Sequence, residues 1–257
     1  MSPSESLLYS SKGPPAVLNL AARAGRVLHF SPMRVEAVRR NLGVIGADPG
    51  RVGEVFESFG RYLGEFLWVG GKLARLEHIL GEVAIDPPPQ SSGILYVTAH
   101  YGNWELAGLC LERIHGPIRI LYRPAGPEWL DRMVRRARGG NRLLNITRGL
   151  RSVVEALRRG EIVGAAIDEP VRSTRRVRFF GRAVSYPAPL LEAAWRAGAA
   201  VIPIVCIRNA EGRLNVRTMA PASDPAEIFS CFEEWIRRDP YQWILLRDRF
   251  FDRGTRE

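Results

Sequence analysis

From residue 94 onward, short apolar runs alternate with stretches of helical periodicity, and that alternation leaves few architectures open. The runs at 94–99, 118–122, 143–146, 162–167 and 200–207 are right for buried strands. Between them, 104–113, 128–138, 149–159 and 190–197 repeat apolar residues at helical spacing. Strands separated by helices predict crossover connections and an α/β fold, here a mostly parallel central sheet flanked by helices. Residues 214–219 alternate and read as an edge strand, and 227–238 as the last helix. Upstream the pattern is helical only: 16–30, a second helix opened by Ser31 as cap and Pro32 at its first position, and a long one from 51 to about 80. The Ser- and Pro-rich residues 1–15 read as a disordered N-terminus. Pro87-Pro88-Pro89 and Ser91-Ser92 read as a linker. The expected organisation is one domain, with a helical portion over 16–90 packed on an α/β core over 91–257.

The stretch 94–105, Ile-Leu-Tyr-Val-Thr-Ala-His-Tyr-Gly-Asn-Trp-Glu, carries the most chemistry. His100 ends the strand, Gly102 breaks the pattern and Asn103 is a good helix cap. A titratable imidazole is thereby set where a strand hands over to a helix, the edge at which open α/β sheets bind their ligands. Glu105 follows five positions later. A turn at Gly102-Asn103 folding its carboxylate back to the ring would fix the imidazole tautomer and make the pair a general base with its orienter. Against this stands a packed core histidine followed by a Glu that complements the helix dipole.

Composition narrows the partners. The 257 residues carry a net charge of +10, and all but two of the 37 basic residues are arginine, Lys12 and Lys72 being the exceptions. Such a balance favours polyanions: nucleic acid, anionic headgroups or an acidic carrier protein. The basic residues are spread along the chain, and no nucleic-acid motif accompanies them. Cys110, Cys206 and Cys231 stand far apart, which fits three buried thiols in a reducing setting and neither a disulfide framework nor a zinc site. His29, His78 and His115 have no partner at ligand spacing, so no metal is expected. No apolar run of 18 residues appears, and the first six residues do not open like a signal peptide. Helix 16–30, with Leu18, Leu20, Val27 and Leu28 beside Arg23 and Arg26, could pack on the domain or lie in a membrane interface.

The string His100-Tyr-Gly-Asn-Trp-Glu105 resembles the His-x-x-x-x-acid motif of the lysophospholipid acyltransferase superfamily. It is most similar to the lipid A biosynthesis acyltransferases and the related phosphatidylinositol mannoside acyltransferases. Further blocks follow in that family's order: Arg39-Arg40-Asn41-Leu42, Glu65 in its helix, Tyr122-Arg123-Pro124, Asp168-Glu169-Pro170 in place of an Asp-Gln, Phe179-Phe180-Gly181, and Ile236-Arg237 with Pro240-Tyr241-Gln242-Trp243. The resemblance implies a glycerolipid-acyltransferase-like fold. It implies transfer of a fatty acyl chain from an acyl carrier protein or coenzyme A thioester to a hydroxyl of a membrane lipid or glycolipid, a lipid A-type precursor first, with no cofactor. His100 and Glu105 would be catalytic. Gly102, Asn103, Arg123, Asp168, Glu169, Arg178, Phe180 and Gly181 would bind substrate. Amides near Gly102-Asn103 are candidate oxyanion donors, and Arg123, Arg178 and Arg148 would hold phosphates or an anionic headgroup. The enzyme would lie peripherally on the cytoplasmic face of the inner membrane, bind an anionic surface and bind no nucleic acid. The competing classes are an inactive basic membrane- or polyanion-binding module and a thioester hydrolase.

Overall fold

The computed structural model describes residues 16–27, 32–70, 76–87, 91, 93–124, 128–138, 143–145 and 149–250. The expectations for residues 1–15, the Ser31 cap, Pro88, Pro89, Ser92 and Arg148 fall outside these. Three helices come first: α1 (Ala16–Val27), α2 (Pro32–Val44) and α3 (Val52–Gly70). The remaining order is β1 (Leu80–Ala84), β2 (Ile94–Thr98), α4 (Trp104–His115), β3 (Ile118–Tyr122), α5 (Glu128–Ala137), β4 (Leu143–Asn145), α6 (Arg151–Arg158) and β5 (Ile162–Ala166). The hairpin β6 (Arg176–Phe179) and β7 (Arg182–Ser185) follows, then α7 (Ala188–Arg196), β8 (Ala200–Arg208), β9 (Leu214–Thr218) and α8 (Pro225–Arg238).

Seven strands form one sheet in the order β1-β9-β8-β2-β5-β3-β4. Every pairing in it is parallel except β8 with β9. The expected parallel α/β architecture is what the chain adopts. The expectation for β9 needs correction: it is an inner strand, because β1 pairs along its free side and takes the outer position. The segment expected to be wholly helical therefore also supplies a strand. Leu80 and Val83 continue the apolar pattern of the preceding helix, so periodicity alone does not mark where the chain changes conformation.

Strand β2 shows why its sequence is apolar throughout. Leu95 and Val97 lie in the core shared with α6, α7 and α8, while Ile94 and Tyr96 lie in the core shared with α4. A strand covered on both faces needs no polar alternation. Burying each of these large side chains is worth about 1.5–3 kcal/mol. The chain leaves β2 towards β3 and β4 on one side and later returns to build β8 and β9 on the other. The carboxyl end of β2 is thus the place where ligands settle in such sheets.

The first helix packs inward. Its Gly25 comes so close to α3 that a Cβ there would lie 2.3 Å from the Phe56 carbonyl oxygen, and one on Gly60 would lie 2.3 Å from that of Ala21. Small residues let the two backbones meet, and Leu18 is 2 % exposed against α3 while Leu20 is 67 % exposed. Leu18 is therefore committed to the protein interior and unavailable to a bilayer.

Candidate active site

Strands β2 and β5 run parallel with Thr98 opposite Ala166. Two residues further along each chain stand His100 and Asp168, so the register itself sets them side by side. The His100 Nδ1 lies 2.6 Å from Asp168 Oδ1, and the His100 amide donates to Oδ2 at 3.0 Å. Trp243 Nε1 donates to the same Oδ2 at 2.8 Å. Asp168 is fully buried, whereas the His100 side chain is 21 % exposed.

The electrostatics follow from this cage. Burial alone would raise the Asp168 pKa, but the imidazole beside it and the three donors outweigh that and hold it below the usual carboxylate range. An ionised Asp168 only accepts, so Nδ1 carries the proton and Nε2 keeps its lone pair, in a side chain that is partly exposed. Burial works against a charged imidazole too. Asp168, by charge and by hydrogen bond, with Glu169 and Glu105 further off, overcomes it and raises the His100 pKa above its ordinary 6.5. The ring is held edge-on to Trp104, their centroids 4.7 Å apart, and Trp104 stacks on Tyr62 at 4.2 Å. A basic nitrogen, locked in tautomer and partly open to solvent at a sheet's carboxyl end, can take a proton from an acid or a hydroxyl.

Glu105 is elsewhere. Its two oxygens take a bidentate ion pair from Arg138, one contact being 2.8 Å from Nε, and Tyr62 Oη stands 3.5 Å away. The expected return of Glu105 to the imidazole is thus corrected. Asn103 starts α4 immediately, and the helix carries the Glu105 side chain towards α5, whose end delivers Arg138. Burial would lower the Arg138 pKa, and Glu105 more than reverses it. The charge of Glu105 is spent on that guanidinium.

Residues 11–251 match the bacterial lipid A biosynthesis acyltransferase family. A phosphatidylinositol mannoside acyltransferase of Mycobacterium tuberculosis (strain H37Rv) is 30% identical over 242 residues, covering 84% of this chain and 77% of the relative.

This chain belongs to the bacterial lipid A biosynthesis acyltransferase family.

A phosphatidylinositol mannoside acyltransferase of Mycolicibacterium smegmatis is also 30% identical, over 195 residues, and this acyltransferase-family chain spans 69% of itself and 64% of that relative in the match. Among solved structures, a 1-acyl-sn-glycerophosphate acyltransferase of Thermotoga maritima aligns with a TM-score of 0.37 at 13% identity, covering 86% of this chain and 96% of the other.

Several residues expected to touch substrate prove to be internal supports of this family member. Asp168 lies beneath His100 and faces no open space. Gly102 adopts φ +60, and a Cβ on it would lie 2.0 Å from the Cys206 carbonyl oxygen, so the turn presses on β8 where only glycine fits. Its amide donates to the Gln242 carbonyl at 2.9 Å and that of Asn103 to the Cys206 carbonyl at 2.7 Å. Both candidate oxyanion donors are therefore already used. The Asn103 side chain is wholly buried. Its oxygen caps the Leu106 amide at 3.3 Å, and its nitrogen donates to Glu65 at 2.9 Å, with Glu65 also paired to Arg208. Asn103 is the expected cap, and its full burial keeps it from a substrate.

The hairpin residues sort similarly. Phe180 and Gly181 form the two-residue turn between β6 and β7, at φ +49 and +74. A bulky residue at positive φ is rare. Phe180 is held there by its amide, which donates to Glu233 at 2.5 Å, by stacking near Trp243 at 6.5 Å and by Arg237 over its ring at 4.9 Å. The hairpin thus backs Trp243, which in turn holds Asp168. Arg178 is exposed on the outer side of β6, and Arg123 is exposed just past β3, on the same carboxyl edge as His100. Glu169 lies 3.5 Å from Arg247.

Trp243 and Arg138 are the two supports to which local sequence assigns no role. Trp243 belongs to a segment whose Ile244 amide donates to the His100 carbonyl at 2.8 Å. Its place in the Pro240–Trp243 block was the signal available. Arg138 offers none beyond sitting at a helix end. Among the described residues no cluster of His, Cys, Asp and Glu suits a metal ion, and no helix is long and apolar enough to cross a membrane.

Proposed function

We propose that the protein transfers a fatty acyl chain from a thioester of acyl carrier protein or coenzyme A to a hydroxyl of a membrane lipid or glycolipid. The observation that carries this reading is the buried Asp168 beneath a partly open His100, in a chain of an acyltransferase family. His100 Nε2 takes the proton of the acceptor hydroxyl as its oxygen attacks the thioester carbonyl carbon. Collapse of the tetrahedral intermediate breaks the carbon–sulfur bond, and the imidazolium returns its proton to the leaving thiolate. Asp168 stays ionised throughout and stabilises the imidazolium. A thioester is already activated, so no acyl-enzyme is required.

For the acceptor, a sugar-bearing lipid is favoured by both the family description and the relatives' names. A lipid A-type precursor follows from the former, and a phosphatidylinositol mannoside from the latter. Incubation of the protein with acyl carrier protein and coenzyme A thioesters and a total lipid extract, read by mass spectrometry, should show one glycolipid gaining an acyl mass as free thiol appears. Thiol release with free fatty acid and no acylated lipid would make it a hydrolase instead, and no thiol release at all would leave a binding module.

The same reading sets the protein peripherally on the cytoplasmic face of the inner membrane. The +10 charge and the outward Leu20 of α1 support attachment to an anionic surface. Liposome flotation should rise with anionic lipid and fall with salt. Flotation with neutral liposomes at high salt would refute the electrostatic part.

A further inference from the structure

A cavity of about 1140 Å³ opens between α2, the β6–β7 hairpin and the C-terminal segment. Its wall includes Pro170, two residues after Asp168, and Phe250, whose ring packs 6.1 Å from Trp243. Six arginines line it, Arg34, Arg40, Arg172, Arg176, Arg247 and Arg249, against two carboxylates, Glu36 and Asp248. Those carboxylates both pair with Arg40, and Arg247 reaches Glu169.

Arg249 is different from the rest. It is 3 % exposed. Its amide donates to Asn41 Oδ1 at 2.9 Å, and one guanidinium nitrogen donates to the Ser185 carbonyl at 2.5 Å. Among the described residues its Nε and Nη1 have no hydrogen-bond partner and no carboxylate forms an ion pair with it, while its guanidinium lies over the Phe179 and Phe229 rings at 6.0 and 5.9 Å. Asp168 acts on it by charge and is itself hydrogen-bonded by His100. Burial pushes the Arg249 pKa down to about 10, still far above neutral pH, so it remains charged. A buried cation is costly unless an anion joins it. Among the described residues Asp168 acts on Arg249 by charge, and no carboxylate pairs with it directly.

We infer that this cavity is a phosphate-binding subsite, with Arg249 as its buried anchor and Arg34 and Arg172 at its rim, that takes the phosphate-bearing headgroup of a substrate. Guanidinium forks match phosphate oxygens in pairs, and several around one space favour a phosphate over a single carboxylate. The volume exceeds what a bare ion needs and suits a phosphate carrying a sugar or nucleoside. Assigning the phosphate to a substrate rests on the acyl-transfer reading, whereas the binding does not.

The test is isothermal titration of the full chain with dioctanoyl phosphatidylinositol below its critical micelle concentration, with coenzyme A, and with uncharged dioctanoylglycerol. One of the two phosphate compounds should bind and raise the melting temperature, and which one does so separates a lipid headgroup from the donor's phosphates. Arg34→Ala/Arg172→Ala, both exposed, should weaken it by about tenfold or more. Arg249→Gln should abolish it, and Arg249→Lys should restore part. If Arg249→Gln fails to fold, the rim variant still decides. His100→Ala should bind as the wild type does. Binding of neither phosphate compound, equal binding by the rim variant, or dioctanoylglycerol binding as tightly as phosphatidylinositol would overturn the site. A wild type that binds phosphate through these arginines but transfers no acyl chain would refute the acyl-transfer reading and leave the site standing. An active wild type whose phosphate binding ignores them would do the reverse.

Discussion

Two carboxylates act on the charge of His100, Asp168 by contact and Glu105 from further off, and they differ in what they do with their own. Asp168, 68 residues away in sequence, lies 2.6 Å from the imidazole and keeps its charge for it. Glu105, five residues away, gives its charge to Arg138. One corner is built by strand register, since β2 and β5 deliver their ends level with each other. The other is built by a helix that leaves the sheet at Asn103 and carries its first-turn acid towards a different neighbour. Nearness in sequence is a poor guide to partnership across a strand-to-helix turn. Nearness in a parallel sheet is a good one.

The sharpest way to break this comparison is to neutralise each carboxylate in turn. Asp168→Asn should lower turnover by about 10³–10⁴-fold, because the amide favours the wrong imidazole tautomer, and His100→Ala by at least about 10²-fold. The pH profile distinguishes orientation from general damage. Neutral imidazole is the base, and its pKa is raised, so the acidic limb of turnover should lie above pH 6.5. Activity falls as pH drops through that value. In Asp168→Asn the raising partner is gone and burial still lowers the pKa, so the limb of the residual activity should move down. An unmoved limb would show that Asp168 is not what sets the histidine. For stability the signs run oppositely within the pair. The raised His100 contributes stability below its unfolded pKa that is lost as pH rises through its folded one. The lowered Asp168 contributes stability above its unfolded pKa that is lost as pH falls.

Glu105→Gln should act through the fold. It leaves Arg138 buried without its partner, and breaking such a pair costs about 3–5 kcal/mol. The side chains are 5 % and 17 % exposed, so solvent screens little of that. Thermal unfolding should show a large drop in melting temperature, while turnover per folded molecule falls less than in Asp168→Asn and the acidic limb stays put. Glu105→Gln/Arg138→Met should recover part of the melting temperature. A Glu105→Gln protein of native stability that had lost the acidic limb would return Glu105 to the chemistry.

How much of this was legible in the sequence follows the same division. The strand ending at His100, the cap at Asn103 and the alternation of strands and helices are local patterns, and the structure has them. The contact of His100 with Asp168 is not local. The strand-end acid was visible, but nothing short of the sheet order β2-β5 says that it stands beside the histidine and not in front of it. Gly102 breaks the local pattern in sequence, and its actual constraint is the β8 carbonyl pressed against it, which only the third strand reveals. β1 was hidden because a short apolar strand after an apolar helix has no periodic boundary. Arg138 carries no spacing rule at a helix end, and Trp243 enters only through the resemblance of its Pro240–Trp243 block.

Trp243 offers the smallest and finest test of the comparison. Its indole N–H donates to Asp168 Oδ2, while the His100 amide binds that same oxygen and the ring binds the other. Trp243→Phe keeps most of the ring that packs against Phe179, Phe180 and Phe250 and removes only the donor. A hydrogen bond to a charged acceptor is worth about 1.5–3 kcal/mol, and two other donors remain to share the load. Turnover should therefore fall by about tenfold, well short of Asp168→Asn. The carboxylate, less well held as an anion, should titrate at higher pH than before, so the lower edge of the stability profile should shift upward. Among the described residues the Glu105 corner has no such donor from the C-terminal segment, and Trp243→Phe should leave the thermal penalty of Glu105→Gln unchanged in a double mutant, within the additivity expected of uncoupled sites. Coupling between the two would mean that the corners are one network, and the contrast between them would have to be given up.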